Sequence, residues 1–197
     1  MVKMNNKQNS KEKLIKAMAE LLLEKGLAAT SPRDILTRAE VGQGSLYHYF
    51  NGKEDLCLHA IKYNVDQLIS FNASVLNTDK NAYNKLSDLL FKARNIDRGC
   101  VVGQMARDRA IMENKKLASE VNRGFESMKK TLESLIKIGI ADGSISNILA
   151  PLEAATLLMS TLQGAYISAK GLQDDSYFHI TINTLLKIFT PQHKFHN

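Results

Sequence analysis

Between Gln43 and Lys53 the chain sets side by side an amide (Gln43), a bare backbone (Gly44), a hydroxyl (Ser45), two phenols (Tyr47, Tyr49), an imidazole (His48) and an ammonium (Lys53). Amide, phenol and imidazole groups can hydrogen-bond to base edges in the DNA major groove, and exposed backbone allows close approach. Hydroxyls near helix N-termini, a phenol and an ammonium suit phosphate oxygens. No comparable set exists for catalysis. The five histidines, His48, His59, His179, His193 and His196, show no metal-ligand spacing with cysteine or acid. A phosphate-cradling glycine loop and a nucleophile elbow are both missing. The residues therefore predict no enzyme, no cofactor and no metal.

The elements that would position these groups are short helices. Leu14, Ile15, Met18, Leu21 and Leu22 recur at helical spacing, and Gly26 follows as a stop. Ser31, Pro32 and Asp34 read as an N-cap, a first-position proline and the far half of a capping box. The second helix then turns Ile35, Leu36 and Ala39 inward and ends before Val41 and Gly42. A third helix from about Gln43 to Phe50 puts Leu46 and Phe50 on its core face. Gln43, Gly44, Tyr47 and His48 fall on the other side, as the base-reading candidates. Ser31, Ser45, Tyr49 and Lys53 are the phosphate-holding candidates. Two short helices with a glycine-containing turn make a helix-turn-helix, the arrangement that enters the major groove.

Length and composition agree. The 197 residues suffice for one large or two small domains with real cores, and three prolines permit long helices. No apolar run is long enough to span a membrane, and no signal peptide is visible, so no membrane partner is expected. Two separated cysteines, Cys57 and Cys100, make no disulfide framework, which points to a reducing cytoplasm. The net charge of +6 suits a polyanionic partner without locating it. A fourth helix is predicted from Lys53 to about Val75, followed by helices over about 82–95, 100–113, 115–141, 151–170 and 175–189.

About the first 60 residues resemble the TetR/AcrR family of one-component bacterial regulators. The resemblance is carried by Ser31, Arg33, Asp34 and Ile35 opening the second helix and by Val41, Gly42, Gly44, Ser45, Leu46, Tyr47, Tyr49 and Phe50 in the third. Lys53, Glu54, Asp55 and Leu56 open the fourth. It implies the same base-reading group plus Arg33, whose guanidinium suits guanine O6 and N7. It implies an all-α fold: a helix-turn-helix DNA-binding domain over residues 1–55, and a helical effector-binding and dimerisation domain over 56–197. Glu40 departs from the family pattern, which has glycine there to end the helix in a left-handed turn.

One such head makes too few contacts for tight specific binding, so two copies spaced by a homodimer would read a near-palindromic double-stranded operator. The last two helices carry wide apolar stripes, and a two-helix surface paired with its own copy makes a four-helix bundle. Leu157, Leu158, Leu162, Ile182, Leu185, Leu186 and Phe189 are the predicted interface. The resemblance further implies a small-molecule inducer bound among the C-terminal helices, and Met105, Phe125, Met128 and Tyr166 are candidate lining residues. Cys100 has two readings: a buried cysteine acting as a small hydrophobe, or a reactive thiol joining this lining, since it follows Gly99 at a predicted helix start near Arg98 and Arg107, a setting that lowers a thiol pKa. A Gly-Cys pair at this place resembles a subgroup that senses electrophiles and oxidants. The predicted function is a ligand- or electrophile-responsive regulator, with repression favoured. The rival is a DNA-bound structural or cell-cycle protein that works without any ligand.

Overall fold

The computed structural model describes residues 2–91, 96 and 98–191, with side chains described from Ser10 onward. Among the described residues every regular element is an α-helix. The chain divides into two compact units. One holds Met1–Leu68 with Val101–Gly124, and the other Ile69–Cys100 with Phe125–Asn197. The compact units are thus drawn differently from a functional division at residue 55, because a later segment returns to the head.

In the first unit, α1 (Val2–Ala29) leaves the helical path at Gly26, where φ is 79° and ψ 173°. Its inner face buries Leu14, Met18, Leu21 and Leu22. α2 (Pro32–Ala39) begins on the predicted capping box. The Asp34 amide donates to Ser31 Oγ at 3.2 Å, and the Ser31 amide donates to Asp34 Oδ2 at 2.8 Å. It ends at Glu40, left-handed at φ 54° with no glycine to ease it. α3 (Gly44–Tyr49) follows after a short turn, and α4 (Lys53–Leu76) starts after Asn51 and Gly52.

The single helix expected over 100–113 is broken. Asp108 adopts an extended conformation and separates α6 (Val101–Arg107) from α7 (Arg109–Met112). Its side chain competes for backbone donors, accepting from the Ala110 and Ile111 amides, and so starts a new helix instead of continuing the old one. α5 (Ala82–Phe91) and α8 (Lys115–Ala141) begin as predicted, and the last four residues predicted for α5 lie outside the described ones.

In the second unit α9 (Pro151–Leu172) and α10 (Ser176–Phe189) pack against each other. This corrects the expected interface set. Leu158, Leu162, Ile182, Leu185, Leu186 and Phe189 are 0–5% exposed, so they form the subunit's own core and cannot also meet a partner. Of the seven, only Leu157 is exposed, at 37%. The stripes are wide because each helix has two apolar faces, and sequence periodicity does not say which face is covered within the subunit.

Relief of the left-handed strain at Glu40 gives a direct test. Glu40→Gly is expected to raise the free energy of unfolding by about 1 kcal/mol, read from urea denaturation midpoints at constant slope.

Candidate nucleic-acid interface

α3 has six residues and a core side made by Leu46, with Phe50 just beyond its end; both are at most 3% exposed. With that side anchored, the opposite rim faces outward. Arg33, Gln43, Gly44, Tyr47 and His48 are all exposed, Tyr47 by 68%. Among the described residues, no side-chain hydrogen bond engages Arg33, Gln43, Tyr47 or His48. The imidazole of His48 meets the Tyr49 ring edge-on at 4.6 Å. A Cβ placed on Gly44 would meet nothing within 4 Å, so that backbone is open to a visitor. Ser45 and Tyr49 are half-buried at the edge of the same rim.

Charged groups behind the rim fix how α1 and α2 sit together. The Arg38 guanidinium pairs with Glu24 at 2.8 Å and Glu20 at 3.1 Å. Lys25 pairs with Asp34 at 2.7 Å. Lys25, together with the Ser31 amide and hydroxyl, holds the Asp34 carboxyl well below the usual carboxylate range. Lys11 lies over the Phe50 ring, 5.8 Å from its centre.

Two phosphate candidates carry structural duties as well. The Ser31 hydroxyl both accepts from the Asp34 amide and donates to Asp34 Oδ2 at 2.7 Å. The Lys53 ammonium donates to the Leu27 and Thr30 carbonyls, each at 2.8 Å, which leaves one of its three donors. Sequence reasoning missed this tie, and no local pattern pairs a lysine with carbonyls so far up the chain.

The effector candidates are divided between the two compact units. Met105 is buried in the first unit, whereas Cys100, Phe125, Met128 and Tyr166 belong to the second. Met128 and Tyr166 are buried, Phe125 is half-buried, and the Tyr166 ring packs on Phe178 at 4.8 Å. A cleft of the second unit lined by Ile96, Ala169, Lys170, Gln173, Asp174 and Asp175 contains none of them. Cys100 is 4% exposed, so its thiol is not presented to solvent reagents. Cys57 is wholly buried, and burial pushes its thiol up to about 12. Among the described residues no cluster of His, Cys, Asp or Glu could hold a metal ion, and no helix is long and apolar enough to cross a membrane.

This geometry has counterparts among known proteins. Residues 10–60 match the pattern of bacterial regulatory proteins of the tetR family, and residues 85–185 match the tetracyclin repressor-like C-terminal domain. The chain belongs to the TetR family. An HTH-type transcriptional regulator from the lacX 3′ region of Lactococcus lactis subsp. lactis is 27% identical over 177 residues, 86% of this chain and 87% of its own. The reduced form of Escherichia coli NemR shares the fold with a TM-score of 0.82 at 21% identity, covering 92% of this chain and 98% of NemR. FadR from Bacillus subtilis, solved in complex with stearoyl-CoA, covers 90% of this chain and 96% of its own with a TM-score of 0.64 at 22% identity. This TetR-family chain is accordingly a helix-turn-helix transcriptional regulator, and its family and relatives are regulators rather than enzymes.

The depressed Asp34 carboxyl sets a pH dependence. A carboxyl held low in the folded state stabilises the fold above its unfolded range and loses that contribution as pH falls through its folded range. Asp34→Asn is therefore expected to lower the thermal midpoint at pH 7, with the gap to wild type closing in strong acid. Circular dichroism melts across pH check it.

Proposed function

We propose that this TetR-family regulator binds a near-palindromic operator as a homodimer, represses transcription there, and is released by a small-molecule inducer. The observation that carries the reading is the outward rim of α3. Its polar side chains have no side-chain hydrogen-bond partner among the described residues, whereas Leu46 and Phe50 are fully used inside. A surface tyrosine exposed by 68% beside an open glycine is poor packing but good groove chemistry. Gln43, Gly44, Tyr47, His48 and Arg33 take the base edges. Ser45, Tyr49, the remaining Lys53 donor and the α2 start at Ser31 take phosphates.

Pairing of two copies is supported by what α9 and α10 leave uncovered. Leu152, Leu157, Ile180 and Ile188 are exposed by 37–60%, on the sides of these helices away from the core. Gly164 sits inside α9, and a Cβ added there would have nothing within 4 Å. An interior helix glycine costs about 1 kcal/mol against alanine, and close approach of a second helix gives it a use. These residues replace the buried six as the proposed four-helix interface.

Release requires an inducer that prefers the DNA-incompetent state, because equal affinity for both states shifts nothing. FadR, of the same fold, holds stearoyl-CoA, so the scaffold can enclose a small molecule. Phe125, Met128 and Tyr166 are the proposed lining in this chain. Repression rests on the match of residues 85–185 to a repressor-like C-terminal domain.

Selection of duplexes from a random-sequence pool tests the reading: enrichment of an inverted repeat supports it, and no enrichment sinks it. Against the selected duplex, His48→Ala is expected to lose about 1–3 kcal/mol of discrimination at one base position, with little change on scrambled DNA. Tyr49→Phe should weaken both duplexes alike. Equal losses for His48→Ala on matched and scrambled duplexes would remove its reading role. Ile180→Glu is expected to yield a folded monomer by sedimentation that no longer retains the operator. A dimer that persists in this variant would move the interface elsewhere.

A further inference from the structure

Asp108 stands in the break between α6 and α7, and its two carboxylate oxygens serve different ends of the chain. Oδ1 accepts from the Ala110 amide at 2.9 Å and the Ile111 amide at 3.3 Å, which caps α7. Oδ2 accepts from the Leu27 amide at 2.6 Å, across 81 positions of sequence. Leu27 is the residue at which α1 has just departed from its helical path at Gly26. From another side, Lys53 holds the Leu27 and Thr30 carbonyls, and Thr30 Oγ1 donates to the Gly26 carbonyl at 2.6 Å. Leu27 and Thr30 are 5% and 1% exposed, so this backbone has little water to turn to if the partners are lost.

Gly26 is constrained twice over. Its φ of 79° disfavours any side chain, and a Cβ there would stand 2.8 Å from Asp108 Oδ2. The backbone, the glycine and the carboxylate therefore fit as one unit. Thr30 leads directly into Ser31, the cap of α2, so the exit of α1 sets where the α2–α3 pair begins. Three polar ties from residues 101–124 land on α4: Asn114 to Glu54 at 3.5 Å, Glu120 to Lys62 at 4.0 Å, and Arg123 to Asp66 at 2.7 Å. The Asp108 tie lands on α1. Asp108 also lies within the stretch matched by the C-terminal domain pattern, and Leu27 within that of the N-terminal one.

We propose that Asp108 is a positioning residue for DNA recognition: its carboxylate fixes the exit of α1 and thereby the placement of the reading helix. The proposal rests on the DNA-binding reading above. It makes the α6–α7 joint the place where a later part of the chain sets the geometry of the head.

The test uses the full chain and a fluorescein-labelled duplex selected by the wild-type protein from random sequence. Asp108→Ser keeps an N-cap for α7 but is too short to reach Leu27, so it separates capping from positioning. Gly26→Ala attacks the same contact from the other side. Both variants are expected to lose at least tenfold in affinity per active molecule, counted by stoichiometric titration. Hydrogen exchange at the Leu27 amide should quicken in both, with helix content and oligomeric state unchanged. A purely structural role would lower the unfolding temperature and leave the affinity of folded molecules alone. That outcome overturns the proposal while the DNA-binding reading stands. Failure of the wild type to enrich any duplex overturns the reading itself. Should one variant not fold, the other carries the same two measurements.

Discussion

A helix of six residues cannot hold its own shape in water, since isolated helices need about 12–15 residues to be even marginal. α3 is that short, and everything around it compensates. Leu46 and Phe50 give it a buried side, and the Phe50 amide closes its end on the Leu46 carbonyl. Beyond it the Asn51 amide is taken by Asp55 at 2.9 Å, which ties the turn into α4. The polar face of α3 stays outward because the apolar face is fully committed. The outward rim is thus a by-product of anchoring, set by two side chains.

The anchoring extends through backbone as well as side chains. α1 stops at a glycine with positive φ, and the peptide groups that follow are held by Lys53 and Asp108 and not by helix continuation. α2 begins on a capping box and ends on a left-handed glutamate, and Arg38 and Lys25 bind it sideways to α1. Exposed ion pairs of this kind contribute little individually. Their value here is geometric, because α2 and α3 are both short and neither has enough core to define its own direction.

The parts legible in the sequence were those governed by local chemistry. The capping box at Ser31, the Gly26 stop and the outward rim of α3 each follow from residues within a few positions of one another, whereas the left-handed end of α2 came from the family resemblance, against the local residue Glu40. The parts that were not legible depend on distance. The break at Asp108 looks like helix in sequence, since Gln104, Met105, Ala106 and Arg107 before it and Arg109, Ala110 and Met112 after it are good helix formers. It appears only because the aspartate finds backbone donors at Ala110, Ile111 and Leu27. The burial of Leu158, Leu162, Ile182, Leu185, Leu186 and Phe189 was likewise invisible, because an apolar stripe reads the same whether its cover comes from the same chain or another. Lys53 shows a third case: an ammonium beside a DNA-reading motif suggests phosphate, and two carbonyls from the exit of α1 claim most of it first.

The placement of the two cysteines has a practical side. Cys57 and Cys100 are 0% and 4% exposed, and they are the only sulfhydryls in the sequence. The folded molecule should behave toward maleimides and air as though it carried no thiol. A single cysteine engineered onto the outer surface would then accept a fluorophore or spin label without competition, so that one position would report on the otherwise native background.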